Sequence, residues 1–235
     1  NQNSFLTLHG FTNIDLPMQQ SIDLLRRKLG AIYPPGEIIG FTRMIFESLC
    51  GYTPTDILLH TLVQKTDKYH LTAADISLIS TASALHDIGK INIPESILNK
   101  PGRLTAEEFA IVKRHTVIGA EIISGMSVYQ NEKLVKYATM ICRWHHERWD
   151  GKGYPDGLAG DNIPIAAQVV SVADAYDALT NERSYKEAFS HDTALAMMHN
   201  GECGSLNPLL LECMDELSET LRHGVEKKPV GQSAE

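Results

Sequence analysis

The stretch Ile165 to Thr180, IAAQVVSVADAYDALT, constrains the fold more than any other part of the chain. It consists of Ala, Val, Ile and Leu with almost no charge, so a helix there has no wide polar face for water and is buried on most sides. A helix of that kind must be surrounded by other elements, and the rest of the sequence supplies helices. Strand-like alternation is scarce, and apolar spacings of three and four recur along the chain. The expected fold class is all-α, a helical bundle. Within the buried stretch stands Asp174, a carboxylate that is costly to bury unless it is paired or bound to a metal. Capping a neighbouring helix or pairing with Arg meets that need equally well, so Asp174 alone decides nothing.

The other helices are marked by their ends. Asp15 to Leu29 carries Leu16, Ile22, Leu25 and Leu29 on one face, and Pro34-Pro35 opens a second helix through Leu49. Thr53-Pro54 reads as an N-cap followed by Pro at the first helical position, starting a helix to about Tyr69. Thr72 with Asp75 forms a capping box, and its helix is expected to reach His86-Asp87. Asn92 to Gly102 reads as a loop. Thr105 with Glu108 caps a helix through Phe109, Val112, His115 and Ile122, and a further helix covers Glu132 to His145. The glycine-rich stretch Glu147 to Pro164 is a long loop of the kind that often carries function. Pro164 opens the apolar helix, and Ser190 and Asn207 cap two more. Residues 1–50 are expected to form a helical segment, whether linker, subdomain or the arm of a homodimer. Residues 226–235 read as a disordered tail.

Composition narrows the class of partner. The 235 residues are 43% hydrophobic and 21% charged, enough for a packed core. The formal net charge of −8 argues against coating polymeric nucleic acid but leaves room for a small anion at a locally positive site. Cys50, Cys142, Cys203 and Cys213 include no C-x-x-C pair, so each reads as a small apolar residue in a reducing cytosol. No apolar run approaches the roughly 20 residues of a membrane span, and no signal peptide stands out. The chain begins with Asn1 rather than Met and reads as a fragment that an upstream sensor or receiver domain would precede.

Four imidazoles and two carboxylates recur at intervals of about thirty residues along these helices: His86-Asp87, His115, His145-His146 and Asp174. Taken singly each has a plain explanation, such as a hydrogen-bonded core histidine. Together they fall at the ends or inner faces of successive helices, where antiparallel bundles return side chains to one level and build metal sites. Mixed imidazole and carboxylate ligands suit Fe, Mn, Zn, Ni or Co. Asp87 could bridge two ions of the kind that assist phosphoryl displacement. Lys90 could hold a phosphate oxygen, or it is a surface lysine at a helix C-terminus.

Three segments carry a family resemblance. HDIGKINIPESILNKPGRLT from His86, HHERWDGKGYPDGL from His145, and DAYDALTNERSYK from Asp174 resemble the HD-GYP subgroup of HD-domain phosphohydrolases, over about Pro54 to Leu221. The resemblance implies an HD-type helical bundle in residues 51–225 and a bacterial cytoplasmic signalling enzyme. It implies hydrolysis of cyclic di-GMP to pGpG, and in the family often on to GMP, through a hydroxide activated by a binuclear metal centre. It assigns His86, Asp87, His115, His145, His146 and Asp174 as metal ligands, with Asp87 bridging and Lys90 catalytic. Gly153, Tyr154 and Pro155 are the loop beside the substrate, and Arg183 and Lys186 fall where the family clamps phosphate. The upstream His of many members and the Glu of some are here Pro54 and Cys50, so two divalent ions (Fe, Mn or Ni) are expected and not a third. His60, Thr55 and Asp56 are the residues that could compensate. Two other readings stay open: a module that binds a cyclic dinucleotide without cleaving it, and an HD-type hydrolase of another nucleotide.

Overall fold

The structure, a computed structural model, describes residues 54–125, 132–181, 188–218 and 221. The expected helices at Asp15–Leu29 and after Pro34, the cap Thr53, the disordered tail, Arg183 and Lys186 all lie outside these. The described residues form nine α-helices and two 3₁₀ turns, with no strand among them. The helices are α1 (Pro54–Lys65), α2 (Ala73–Ser83), α3 (Glu95–Leu98), α4 (Ala106–Lys113) and α5 (His115–Ser124). They continue as α6 (Lys133–Trp144), α7 (Ile165–Thr180), α8 (His191–His199) and α9 (Pro208–Glu216). The 3₁₀ turns are Ile88–Asn92 and Gly160–Asn162. No helix among the described residues is long and apolar enough to cross a membrane.

As its composition requires, α7 is the axis of the bundle. It packs against α1, α6, α8 and α9, and twelve of its sixteen residues are buried. Leu58, Leu59 and Leu62 of α1, Ile79 of α2, Ile141 of α6 and Met214 of α9 close the core around it. Each such side chain contributes roughly 1.5–3 kcal/mol by leaving water. Asp174 lies at the margin of this burial, on a half-buried face beside exposed Asp177. Cys142 and Cys213 are buried, and the Cys142 thiol donates to the Leu85 carbonyl at 3.1 Å.

The local capping chemistry forms as the sequence predicts. Thr72 and Asp75 exchange bonds of 3.1 and 3.2 Å, and Thr105 and Glu108 exchange bonds of 2.7 and 3.2 Å. Ser190 and Asn207 cap α8 and α9 through their side chains.

Four expected boundaries differ, each for a physical reason. The first helix ends at Lys65, not near Tyr69, because Thr66 Oγ1 accepts the Lys68 amide at 3.1 Å and turns the chain. The second stops at Ser83. From there the chain winds more tightly, with the His86 amide on the Ser83 carbonyl and the Lys90 amide on the Asp87 carbonyl. His86 and Asp87 thus stand in a turn, not on a helix. Tertiary docking imposes that path, since Gly89 lies against the backbone of His115 with no space for a Cβ. The helix predicted from Thr105 divides at Arg114 into α4 and α5. Val112 and Lys113, whose carbonyls end α4, are bonded instead by His115 Nδ1 (2.6 Å) and Thr116 Oγ1 (2.9 Å). The expected loop Asn92–Gly102 contains the single turn α3.

Candidate metal centre

Four elements bring the predicted side chains to one place. His86 and Asp87 come from the turn after α2, His115 from the first residue of α5, His145 and His146 from the end of α6, and Asp174 from α7. Backbone carbonyls orient three of the imidazoles. Nδ1 of His86 bonds Ser83 O at 2.8 Å, Nδ1 of His115 bonds Val112 O, and Nδ1 of His145 bonds Ile141 O at 2.9 Å. With Nδ1–H donating to a carbonyl, the lone pair is left on Nε2, the arrangement typical of metal-ligating histidine.

Those Nε2 atoms surround Asp87. His115 Nε2 is 3.3 Å and His145 Nε2 is 3.9 Å from Asp87 Oδ1, while His86 Nε2 is 3.3 Å from Oδ2. The ligand atoms of Asp87, His115, His145 and His146 all lie within 4.8 Å of one another. Asp174 Oδ1 is 3.9 Å from His86 Nε2, on the Oδ2 side. Lys90 Nζ sits 2.6 Å from Asp87 Oδ2. Asp87 Oδ1 is buried and has no hydrogen-bond donor among the described residues. A buried carboxylate oxygen facing imidazole lone pairs is an unmet electrostatic demand that a cation satisfies. The residues present therefore fit a divalent metal.

The protonation states of His115, His145 and His146 agree, and that of His86 does so once a cation displaces its Nε2 proton. Burial, with the neighbouring His86 charge, holds His145 well below the usual imidazole range. Burial and then His145 and His115 lower His146, and burial lowers His115 against the pull of Asp87. Three neutral imidazoles, the form that binds metal, result. Burial opposes charge on His86, but Asp87 and Asp174 outweigh it and raise His86 to about 9. Burial opposes ionisation of Asp87 as well, yet Lys90 and His86 hold it well below the usual carboxylate range.

The glycine-rich loop borders the cluster. The Tyr154 ring lies over His146, centroids 4.9 Å apart at 30°, and its amide donates to the His146 carbonyl at 3.2 Å. The Tyr154–Pro155 peptide is cis. Gly153 runs so close to Glu147 and Arg148 that a Cβ would overlap their backbone. Two residues that sequence reasoning passed over hold this loop. Glu147 is 2% exposed, and its Oε1 accepts the amides of Asp156 (2.7 Å) and Gly157 (3.1 Å). Asp156 in turn accepts a bidentate pair from Arg143, both 2.8 Å, and the Trp144 indole N–H. The one sequence signal was the position of Glu147, a carboxylate directly after His146. His60 is exposed on α1 and not part of the ligand cluster. Arg183 and Lys186 lie outside the described residues.

A helical bundle whose inward imidazoles from separate elements share one carboxylate defines a metal-site protein of the HD type. The HD domain family matches residues 43–203, and the chain belongs to that family. It is 44% identical over 147 residues to the "Cyclic di-GMP phosphodiesterase response regulator RpfG" of Xanthomonas campestris, covering 63% of this chain and 37% of the relative. It is 39% identical over 148 residues to the "3'3'-cGAMP-specific phosphodiesterase 2" of Vibrio cholerae, covering 63% and 28%. Among solved structures it resembles Bd1817, an HDG"Y"P protein from Bdellovibrio bacteriovorus. That match has a TM-score of 0.55 at 18% identity, covers 86% of this chain and 63% of that one, and bears on the fold alone. The chain spans about a third of the length of the curated relatives it matches.

Proposed function

We propose that this chain is the catalytic region of a metal-dependent phosphodiesterase that opens cyclic di-GMP to pGpG and carries it on to GMP. The observation that carries the reading is the position of Asp87, one oxygen facing His115 and His145 and the other facing His86. The names of the matched relatives support the substrate class. His115, His145, His146 and Asp87 Oδ1 would hold one divalent ion. His86, Asp174 and Asp87 Oδ2 would hold a second, with Fe, Mn or Ni suited to both sets. When bound, such ions polarise a phosphodiester and make water a competent nucleophile at neutral pH.

The chain's own groups do the rest. Backbone carbonyls fix the tautomers of His86, His115 and His145. The Lys90 ammonium, placed by Asp87, stabilises negative charge developing on the phosphoryl oxygens. Gly153, Tyr154 and Pro155 form a wall beside the substrate, and Arg183 and Lys186 supply phosphate contacts from the segment after α7.

The test is anaerobic purification, loading with Mn(II) or Fe(II), and chromatography of the products of cyclic di-GMP. Linear pGpG is expected from the parent protein and none from Asp87→Ala. Full activity in Asp87→Ala overturns the mechanism. Tight binding of cyclic di-GMP with no product at any metal loading makes the chain a binding module instead.

A further inference from the structure

We infer that Phe109 and Lys113 on α4 form a base-recognition subsite at the mouth of the metal centre, reading the guanine of a cyclic dinucleotide. The inference rests on the proposed phosphodiesterase reading and adds a specificity device to it. Helix α4 has no buried residue, so nothing in the core explains an aromatic side chain there, and Phe109 is 45% exposed. It is not isolated. The Phe109 and Tyr154 rings meet edge to face, centroids 6.2 Å apart, and Tyr154 lies against His146 of the ligand cluster. Lys113, one helical turn on, holds its ammonium 5.3 Å from the Phe109 ring centre and 5.7 Å from that of Tyr154. The helix is tied down by the Thr105 capping box and by Lys100 on Glu108 at 2.7 Å.

An aromatic surface and a cation thus adjoin the ligand cluster through the contact of Tyr154 with His146. Bases stack on exposed aromatic rings whatever their identity. Identity is read at the edge. Guanine presents two acceptors, O6 and N7, to a lysine, whereas adenine replaces O6 by an amino donor that repels it. A single subsite of this chemistry separates cyclic di-GMP from cyclic di-AMP. It separates cyclic di-GMP from 3'3'-cGAMP only by roughly twofold, because cGAMP still offers its guanine in one of two orientations.

The experiment compares the Mn(II)-loaded parent, Phe109→Ala, Phe109→Tyr and Lys113→Ala on cyclic di-GMP, cyclic di-AMP and a base-less diester with no aromatic ring, the abasic cyclic bis(3',5')-ribose phosphate. In Phe109→Ala the ratio of kcat/KM for cyclic di-GMP to that for the base-less diester should fall about tenfold, mainly through KM, and Phe109→Tyr should restore it. Lys113→Ala should cut the preference for cyclic di-GMP over cyclic di-AMP about tenfold. Equal losses on both diester types in Phe109→Ala, or an unchanged guanine preference in Lys113→Ala, overturn the subsite. If the parent cleaves none of the diesters, the phosphodiesterase reading fails separately. Calorimetric binding of cyclic di-GMP then decides the subsite: about tenfold weaker binding in Phe109→Ala supports it, and unchanged affinity overturns it.

Discussion

Gly89 rests against the backbone of His115 so closely that a Cβ on it would overlap the His115 carbonyl and crowd the Gly119 amide. The turn that presents His86 and Asp87 is thereby docked directly on the helix that presents His115. Replacing Gly89 by Ala must push the turn away from α5, and the backbone atoms in its way cannot swing aside as a side chain would. Gly89→Ala is expected to cost about 2 kcal/mol or more, lowering Tm by roughly 4–8 °C. It should also lower metal content together with activity. A melting curve and a metal assay on the same preparation check both, and a variant with unaltered Tm and metal content contradicts the account.

The division of Asp87 between two sets of ligands predicts a graded loss of metal. The parent should carry about two ions per chain by mass spectrometry, His86→Ala or Asp174→Ala about one, and Asp87→Ala nearly none, since only Asp87 faces both sets. His145→Ala removes a side chain that is fully buried and should lose the ion on its own side first. Identical losses in all four variants would point to one ion rather than two.

Much of this site was legible because its chemistry is contiguous in sequence. His86-Asp87 and His145-His146 are pairs, and Asp174 stands out against an apolar helix. The caps at Thr72, Thr105, Ser190 and Asn207 were legible because a cap depends on residues within one turn. What sequence could not show were features imposed from far along the chain. The tight turn at His86 exists because Gly89 meets α5, and α4 parts from α5 where His115 and Thr116 side chains bond the carbonyls of α4. The burial of Glu147 likewise has no local signature, because its partners lie nine and ten residues on.

Glu147 fastens the loop that carries Tyr154, so its removal should be felt at the substrate. Glu147→Ala leaves the Asp156 and Gly157 amides without their acceptor, at about 1.5–3 kcal/mol for each charge-assisted bond. The Tyr154 ring then loses its fixed position over His146, and KM for cyclic di-GMP is expected to rise about tenfold. Glu147→Gln keeps Oε1 as an acceptor, so it should retain most of the affinity. Steady-state kinetics on the two variants check this. Equal KM values for Glu147→Ala and the parent mean that the loop is held by Asp156 with Arg143 and Trp144 alone.

Asp75 gives the fold a defined sensitivity to acid. Its carboxylate accepts from the Thr72 hydroxyl and amide, from Tyr137 Oη of α6 at 2.9 Å and from Lys133 at 3.2 Å, and these bonds lower it well below the usual carboxylate range, against a smaller opposing effect of burial. A carboxyl more acidic in the folded chain than in the unfolded one stabilises the fold fully above the unfolded value, near 4. That contribution is lost as pH falls below it toward the folded value. Asp75→Asn should therefore reduce stability by about 2 kcal/mol at pH 7. The gap between variant and parent should narrow steadily below about pH 4 as the parent's own carboxyl takes up its proton. Urea titrations at pH 7, 4 and 3 read this directly. A gap that stays constant across that range would mean the carboxylate charge plays no part in joining α2 to α6.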